Sequence, residues 1–334
     1  MKVKIKNRGK EAMAAFICAT GSCLPAYRMD NEEWTQYVET SDAWIRERTG
    51  IESRHMAREE SCVSMAVQAA KNALENADMD AKEIDLLLVS TISADYILPC
   101  AACEVQAQIG AENAVCFDLN AACSGFLMAY NTAVSGIEAG LYRTALIIGS
   151  ECMSHLLNWK DRGTCILFGD GAGAVILKSS SRPLYLPCGH SDGSRKNALV
   201  LRSRHSGGPE DMTDPQYYLQ MDGQAVFKFA VRRVPEVIRG VLEKNQMKQE
   251  DIRFFILHQA TRRITEAVAR HLKEPLDKFP MNVDHCGNTS SASIPILLDE
   301  ENRKGRFHKG DLLAMSAFGA GLTTGACILE WTRE

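Results

Sequence analysis

The sequence predicts an α/β protein built from two similar halves. An apolar run at 114–117 precedes an amphipathic helix, and a second apolar run follows at 146–148, which is the order of a strand, a helix and a strand. Two segments from the first half of the chain also recur in the same order in the second half. A repeat of this kind indicates internal duplication.

The duplication rests on two pairs of segments. Residues 74–84 align without a gap on 242–252, with Leu, Glu, Met and Ile at the same offsets and an apolar run after each copy. Each copy is typical of a helix end, a turn and a buried strand. Residues 173–178 resemble 325–330 in the same way, as a closing strand of each half.

The break between the halves is predicted in the Ser- and Pro-containing stretch after the first closing strand. This gives a first half of residues 1–180 and a second half of residues 181–334. Sequence rich in Gly, Ser, Asp and Pro from Cys188 to Gln216 is predicted to be a loop before the second half resumes. Two fused halves place their strand-end loops side by side, so function is expected where the halves meet.

Composition excludes several functional classes. A chain of 334 residues with 46% hydrophobic residues can bury one large core or two packed cores, and its net charge of −4 argues against bulk nucleic-acid binding. No apolar stretch reaches the ~20 residues that cross a bilayer, so no membrane partner is expected. Twelve cysteines favour reduced thiols in a cytoplasmic protein. Cys100 and Cys103 form the only C-x-x-C pair, and no metal site is predicted from it.

Cys123 is the candidate nucleophile. It lies between a predicted strand and a helix whose apolar residues recur at spacings of three and four from Phe126 to Ile137, with Gly140 as the stop. Unpaired N–H groups and the positive end of a helix dipole favour an anion, so a thiolate is expected to form more readily here than in a free cysteine. The alternative is a small buried hydrophobe, which is the usual role of a free cysteine.

Three further candidate sites lie in the second half. His258 directly follows the apolar run 254–257 and precedes Thr261, a possible helix cap. Asn288 lies in a small-residue turn before a helix-like segment, and a glycine-rich bend begins at Phe318. Imidazole, carboxamide and backbone N–H groups can all stabilise a developing negative charge. Each of them also has a purely structural explanation. The histidine can simply hydrogen-bond nearby backbone groups, the asparagine is common in turns, and the glycine-rich bend can be a plain hairpin between core strands.

Taken together, these motifs closely resemble the β-ketoacyl-acyl-carrier-protein synthase III family over nearly the whole chain. About the first dozen residues look like an extension beyond the usual start. The resembling blocks are residues 120–126, 257–260, 287–293, 40–51, 161–164 and 168–173.

The resemblance implies the thiolase-like fold, with two α/β halves in a five-layer αβαβα arrangement, and a homodimer. It implies that Cys123 accepts an acyl group from acyl-CoA, a substrate rather than a cofactor. His258 and Asn288 stabilise the charge that develops as malonyl-acyl-carrier protein loses carbon dioxide. Backbone N–H groups of Cys123 and Ala320 hold the tetrahedral oxyanion.

The same resemblance implies that Trp44 and Arg162 sandwich the CoA adenine and that Arg48 lies near its phosphates. Leu98 aligns with an acyl-pocket gate supplied by the partner subunit, where acetyl-preferring members carry an aromatic residue, so the expected primer is either acetyl-CoA or a longer or branched acyl-CoA. Residues implied in docking of the acidic carrier protein are Lys228, Arg232, Arg263 and Arg270.

Two departures from the family pattern concern the glycine-rich bend. Ala320 replaces the middle of three glycines and keeps the N–H, so catalysis is expected to survive, and Thr324 stands at a frequent tryptophan position. The first functional hypothesis is the condensation that starts fatty-acid synthesis. The alternatives are a starter condensing enzyme of polyketide or other secondary metabolism and a non-catalytic relative that binds carrier protein.

Overall fold

The computed structural model describes residues 14–181, 183–203 and 215–333. The predicted N-terminal extension lies outside these ranges. The strands are β1 (Ala14–Cys23), β2 (Arg28–Asp30), β3 (Ser53–His55), β4 (Leu86–Ser90), β5 (Val115–Leu119), β6 (Thr144–Cys152), β7 (Asp170–Ser180), β8 (Cys188–Ser191), β9 (Leu199–Val200), β10 (Gln220–Met221), β11 (Phe254–Leu257), β12 (Leu312–Gly319) and β13 (Thr323–Glu330). The helices are α1 (Asp42–Thr49), α2 (Cys62–Ala77), α3 (Ala101–Ile109), α4 (Gly125–Glu138), α5 (Gly223–Lys244), α6 (Arg262–Leu272), α7 (Val283–Cys286) and α8 (Ser293–Arg303).

Two sheets of matching topology form the centre of the fold. The first has the order β1-β7-β6-β4-β5, in which β4 is parallel to β5 and β6 while β7 is antiparallel to β6 and β1. The second has the order β11-β12-β13-β8, again with one parallel pair followed by two antiparallel pairs. Strands β4, β6, β7 and β1 therefore correspond to β11, β12, β13 and β8.

The segments that suggested duplication occupy equivalent places in these sheets. The apolar runs at 86–89 and 254–257 form β4 and β11, and the echoes at 173–178 and 325–330 lie in β7 and β13. Along the chain, β7 is the last strand of the first sheet and ends at Ser180, next to the predicted break. The first strand of the second sheet, β8, begins at Cys188. The placing of the boundary itself stays a prediction.

The sheets and helices form five layers. Along β4, Leu86 and Leu88 point toward α4 and α8, which lie between the two sheets, whereas Leu87 and Val89 point toward α2 and α3 on the outside. This alternation is the two-residue period of a strand. Helices α5 and α6 cover the outer face of the second sheet. The predicted αβαβα arrangement is confirmed.

One local prediction is wrong, and another holds only in part. The stretch from Cys188 to Gln216 contains β8, which pairs with β13 in the register Ser191 to Thr323. An edge strand of four residues with a mostly exposed surface carries no apolar alternation that a sequence pattern could detect. Thr261 occupies the N-cap position of α6, yet its side chain makes no capping hydrogen bond.

A charged cluster on α7 and α8 is expected to make the free energy of unfolding depend on pH. His285 lies between the carboxylates of Asp284 and Glu300, 3.0 and 3.2 Å away. These hydrogen bonds, first that to Asp284, raise the pKa of His285 to about 12. Burial opposes the shift at Glu300, but the bonds to His285, Lys304 and Asn282 lower the pKa of that carboxyl to about 2. Ligand atoms of His285, Cys286 and Glu300 also lie within 4.8 Å of one another, a spacing that could hold a metal ion.

We expect the contribution of His285 to the free energy of unfolding to be complete below its unfolded pKa of ~6.5 and to decline as pH rises toward the folded pKa. Glu300 contributes fully above its unfolded pKa of ~4.3 and loses this as pH falls. His285→Gln should therefore lower the urea unfolding midpoint most near pH ~5.5, and the difference should shrink by pH ~9. A pH-independent difference would contradict this account.

None of the helices in the described ranges combines the length and apolar character needed to span a membrane.

Candidate active site

Two cavities meet at Cys123. The outer cavity, of about 700 Å³, is lined by Cys123, His258 and Asn288 and opens past Trp44. The second cavity, called the inner cavity, has a volume of about 570 Å³, shares Cys123, and is lined by Met153 and other apolar side chains together with Lys196 and Arg202. The three predicted side chains therefore line one space where the two halves meet, although the first and the last of them are 165 positions apart in sequence.

The turn that carries Cys123 is sharp and closely packed. It begins after β5 with Ala122 in the left-handed region, at φ +47°, and passes into α4 at Gly125. A Cβ at Gly125 would lie 2.1 Å from Ser90 Oγ, and one at Gly319 would lie 3.0 Å from the backbone nitrogen of Cys123. A larger residue at either position would force its neighbours to shift. The glycine-rich bend of the second half is therefore seated directly on the nucleophile turn.

The resting state of Cys123 differs from the one predicted. The side chain is buried, and burial raises the pKa of its thiol to about 11, against a smaller lowering by the Ser290 hydroxyl. The nearby carboxylate of Glu151 raises it further. The expectation of a readily formed thiolate is wrong for the resting protein, because desolvation of the anion outweighs the stabilising groups around it.

His258 is held as a neutral hydrogen-bond donor. The backbone N–H of His258 donates to the backbone oxygen of Ser316 on β12 at 2.9 Å, which anchors the residue at the end of β11. Ser293 Oγ accepts from Gln259 N–H at 3.3 Å and lies 2.7 Å from His258 Nδ1, so the serine proton is available for Nδ1. In this tautomer Nε2 carries the hydrogen. Burial lowers the pKa of His258 to about 3, so the ring stays uncharged near neutral pH.

Asn288 is oriented by its own loop. Its Oδ1 accepts a hydrogen bond from Ser290 N–H at 2.9 Å, which leaves the Nδ2 amide group as the donor of the pair. Its backbone is tied to the first half, since Asn288 N–H donates to Leu167 O at 2.9 Å and Gly169 N–H donates to Asn288 O at 3.0 Å. Donor orientation at Asn288 and His258 thus comes from a single segment, 288–293.

The backbone groups named for the oxyanion lie beside the nucleophile. Ala320 and Gly321 line the inner cavity together with Cys123. Within the described ranges, neither Cys123 N–H nor Ala320 N–H donates to a backbone carbonyl. Thr324 stands where the family often has tryptophan. Its side chain is buried and its hydroxyl donates to Ala317 O at 3.0 Å, within the hairpin of β12 and β13.

Trp44, Arg48 and Arg162 meet at the mouth of the outer cavity. The Arg162 guanidinium carbon lies 4.7 Å from the centre of the Trp44 ring, and that of Arg48 lies 6.0 Å from it. Arg162 also donates to Glu39 O at 2.7 Å. An aromatic ring between Trp44 and Arg162 needs about 7 Å, or two contact distances of ~3.5 Å, so Arg162 must move outward to admit one.

The four predicted docking cations are exposed but unequally placed. Lys228 and Arg263 line the outer cavity, whereas Arg232 and Arg270 lie further along α5 and α6. Arg232 is paired with Glu236 at 3.1 Å. Leu98 is 84% exposed and lines neither cavity of its own chain, although its neighbour Ile97 lines the inner one.

The sequence reasoning missed Glu151, Ser290 and Ser293 as functional candidates. Both serines lie inside the motif 287–293, where their spacing from Asn288 gave a usable signal. Glu151 follows the apolar run of β6 and is completely buried. No sequence pattern reveals that a carboxylate at a strand end points inward.

Comparison with known proteins identifies the family. The family model described as "3-Oxoacyl-[acyl-carrier-protein (ACP)] synthase III" matches residues 117–187. The family model for the C-terminal part of the same proteins matches residues 242–331. A beta-ketoacyl-[acyl-carrier-protein] synthase III of Clostridium acetobutylicum is 42% identical over 95% of this chain and 98% of its own length. That of Microcystis aeruginosa is 45% identical over 95% and 98%. The chain belongs to the β-ketoacyl-[acyl-carrier-protein] synthase III family.

Solved structures of synthase III proteins share the fold. The 3-oxoacyl-[acyl-carrier-protein] synthase III of Aquifex aeolicus matches 95% of this chain and all of its own with a TM-score of 0.89 and 41% identity. The priming β-ketosynthase of the R1128 polyketide pathway matches 97% and 98% with a TM-score of 0.92 and 34% identity. The predicted thiolase-like fold and the predicted class, an acyltransferase of the condensing type, are confirmed by these relatives.

Proposed function

We propose that the protein joins an acyl-CoA primer to malonyl-acyl-carrier protein, with loss of carbon dioxide, through an acyl-Cys123 intermediate. The observation that carries this proposal is the convergence of Cys123, His258 and Asn288 on one cavity. A thioester on Cys123 keeps the acyl carbon electrophilic and divides one difficult condensation into two easier steps.

The neutral imidazole and the amide suit the second step. Nε2–H of His258 and Nδ2–H of Asn288 donate to the thioester oxygen of the malonyl group as its charge grows. Because both donors are uncharged and preorganised, they stabilise the enolate without protonating its carbon. The enolate carbon attacks the acyl carbon, and the N–H groups of Cys123 and Ala320 hold the resulting oxyanion.

Incubation with labelled acyl-CoA, followed by mass spectrometry of the Cys123 peptide, tests the first step. Addition of malonyl-acyl-carrier protein should then release the label as β-ketoacyl-carrier protein and free the thiol. A chain that binds both substrates without acylating Cys123 would support the non-catalytic alternative instead.

The mouth of the outer cavity supports CoA binding. Trp44 and Arg162 offer an aromatic face and a guanidinium plane for adenine, and Arg48 lies close enough to reach phosphates. We expect Trp44→Ala to raise the KM for acyl-CoA about 10-fold with kcat nearly unchanged, because it removes binding far from the reacting atoms. An acyl-pantetheine substrate, which lacks adenine, is the control. An equal KM increase for both substrates would contradict the role of Trp44.

The carrier protein docks beside this mouth. Lys228 and Arg263 lie at the rim, where they can attract an acidic partner and direct its arm toward Cys123. Arg232 and Arg270 extend the basic surface along α5 and α6.

The size of the inner cavity favours primers longer than acetyl. Its volume of about 570 Å³ exceeds the space an acetyl group fills, and apolar side chains such as Ile92, Met153 and Leu219 line part of it, alongside Lys196 and Arg202. A competition assay between acetyl-CoA and branched or longer acyl-CoAs tests this preference. Exclusive use of acetyl-CoA would oppose it.

The protein acts as a homodimer. Strand β5 is the last strand of its sheet, and exposed apolar residues surround this edge, namely Tyr96, Ile97, Leu98, Val115 and Phe117. An open sheet edge beside an apolar patch favours pairing with a second copy. In such a pair Leu98 can reach the inner cavity of the partner.

We expect Phe117→Lys to convert dimers into monomers and to lower condensing activity, because a charge beside an open edge opposes strand pairing. Light scattering coupled to size exclusion measures the mass. Leu186→Lys places the same charge on an exposed leucine outside the patch and should leave the dimer intact. Retention of the dimer in Phe117→Lys would contradict this interface.

A starter condensing enzyme of secondary metabolism is the second candidate. The likeness to the R1128 priming ketosynthase favours it, since the fold matches with a TM-score of 0.92. Strong preference for an unusual acyl-CoA in the same competition assay would support this alternative.

The twelve free cysteines are consistent with action in the reducing cytoplasm.

A further inference from the structure

Two sulfur atoms lie in contact outside the active site. Cys100 Sγ and Cys103 Sγ are 3.4 Å apart, at the start of α3. All twelve free cysteines lie in the described ranges, and no other two of their sulfur atoms there are in hydrogen-bond contact. Neither thiol takes part in the steps proposed above.

The backbone at the start of α3 holds this pair in place. Cys100 is the N-cap residue, in an extended conformation, and Cys103 N–H donates to Cys100 O at 3.1 Å. The N–H groups of Ala101 and Ala102 both donate to the carboxylate of Asp118 at 2.8 Å. A disulfide bond is ~2.05 Å long, so the sulfur atoms need to approach by only about 1.4 Å. Rotation of the two side chains can supply this approach while the backbone keeps its hydrogen bonds.

The pair is more accessible than the nucleophile. Cys103 is exposed and Cys100 is half-buried, whereas Cys123 is buried and its thiol has a pKa raised to about 11. The hydrogen bond between the two thiols raises the pKa of Cys103, and the N–H groups of the helix start already serve Asp118. The pair is therefore not arranged as a fast catalytic dithiol, and its oxidation is expected to be slow near neutral pH.

We propose that Cys100 and Cys103 form a reversible intramolecular disulfide by exchange with the disulfide of a low-molecular-weight thiol. The Cys103 thiolate attacks first, because it is the more exposed. Its sulfur bonds to one sulfur of the small disulfide, the small S–S bond breaks, and the leaving thiolate takes the proton that Cys103 released.

The second exchange closes the bond within the protein. Cys100 Sγ bonds to Cys103 Sγ, the mixed S–S bond breaks, and the second small thiolate takes the Cys100 proton. Two electrons pass from the protein thiols to the small disulfide, which becomes two thiols. This step is favoured because Cys100 is already in contact with the sulfur it attacks, at a high effective concentration.

The bond forms at the end of a segment that borders the inner cavity. Residues 91–100 join β4 to α3, and Ile92 and Ile97 of this segment line the cavity. The disulfide fastens the end of the segment to α3 without using Cys123. The inference needs no condensing activity, so it stands or falls separately from the proposed function.

The test uses the assembled protein and oxidised glutathione at pH ~8.5, near the ordinary thiol pKa. Free thiols are then blocked under denaturing conditions, and the chain is cleaved after glutamate. Cleavage at Glu83, Glu104 and Glu112 separates Cys100 and Cys103 from Cys116 and Cys123. We expect the peptide 84–104 to lose two hydrogen atoms and to take up no blocking reagent, and dithiothreitol should restore both thiols.

Four outcomes would overturn the proposal. They are a pair that stays reduced in the assembled protein, a stable glutathione adduct in peptide 84–104, a disulfide that links this peptide to Cys116 or to a second chain, and modification of Cys123 before the pair. Mass spectrometry of the peptides and a non-reducing gel distinguish all four.

Three variants identify the partners. In Cys100→Ser and Cys103→Ser the second exchange is impossible, so the remaining thiol should keep a stable glutathione adduct. Cys116→Ser is the matched control, because Cys116 is a nearby thiol whose pKa is raised by burial and by the neighbouring Cys103 and Cys100. It should form the internal disulfide to the same extent as the unaltered protein. Loss of the disulfide in this control would overturn the assigned pairing.

Discussion

Cys123→Ala is expected to abolish condensation, with a loss of at least ~10⁴-fold, because no other group at the centre of the two cavities can form the thioester. Malonyl-acyl-carrier protein should still be bound and decarboxylated, since His258, Asn288 and the docking surface are unchanged. Substitution removes one sulfur atom and leaves the surrounding hydrogen bonds in place. The two half-reactions should therefore separate in this variant.

Labelled carbon dioxide release and β-ketoacyl product are measured in parallel. Cys327→Ala is the matched control, because Cys327 is a buried thiol in β13 that lines neither cavity. It should retain both activities at equal concentrations of folded protein. Condensation by Cys123→Ala at the rate of the control would disprove the covalent intermediate.

The sequence predicted much of this site because strand ends are visible in it. Cys123 and His258 follow apolar runs that form β5 and β11, and the carboxyl ends of such strands meet where the halves join. Asn288 carried a weaker signal, since an asparagine in a glycine turn is common. Its importance depends on Ser290 N–H, which faces its Oδ1 only once the turn has folded.

The ionisation of Cys123 could not be predicted in the same way. A helix N-terminus is apparent in sequence, and its dipole favours a thiolate. Desolvation depends on what covers the sulfur, and here that cover includes segments more than 100 residues away, among them the turn at 288–293 and the bend at Gly319. Burial therefore reversed the expected direction of the pKa shift.

A contact between the halves orients the side chains that we propose for the second chemical step. Segment 288–293 orients the Asn288 amide through Ser290 N–H and holds His258 through Ser293, while its serines bind Glu151 of the first half. A change at Asn288 that preserves shape but alters charge thus tests the electrostatic role of the amide, separately from packing.

Asn288→Asp is expected to reduce decarboxylation of malonyl-acyl-carrier protein by at least ~10³-fold. One carboxylate oxygen can still accept from Ser290 N–H at the position of Oδ1, so the loop keeps its anchor. The other oxygen replaces a donor with negative charge where the enolate oxygen develops. Loss of one such donor alone costs ~10²- to 10³-fold, and repulsion adds to that loss.

Comparison with Asn288→Ala separates the two contributions. The alanine variant loses the donor without introducing charge, so it should decarboxylate faster than Asn288→Asp, although the aspartate is closer in shape to the native side chain. Both variants should still form acyl-Cys123, because acylation does not require the malonyl-binding donors. Equal rates in the two variants would mean that Asn288 acts through packing, since only an electrostatic donor distinguishes a negative oxygen from a missing one.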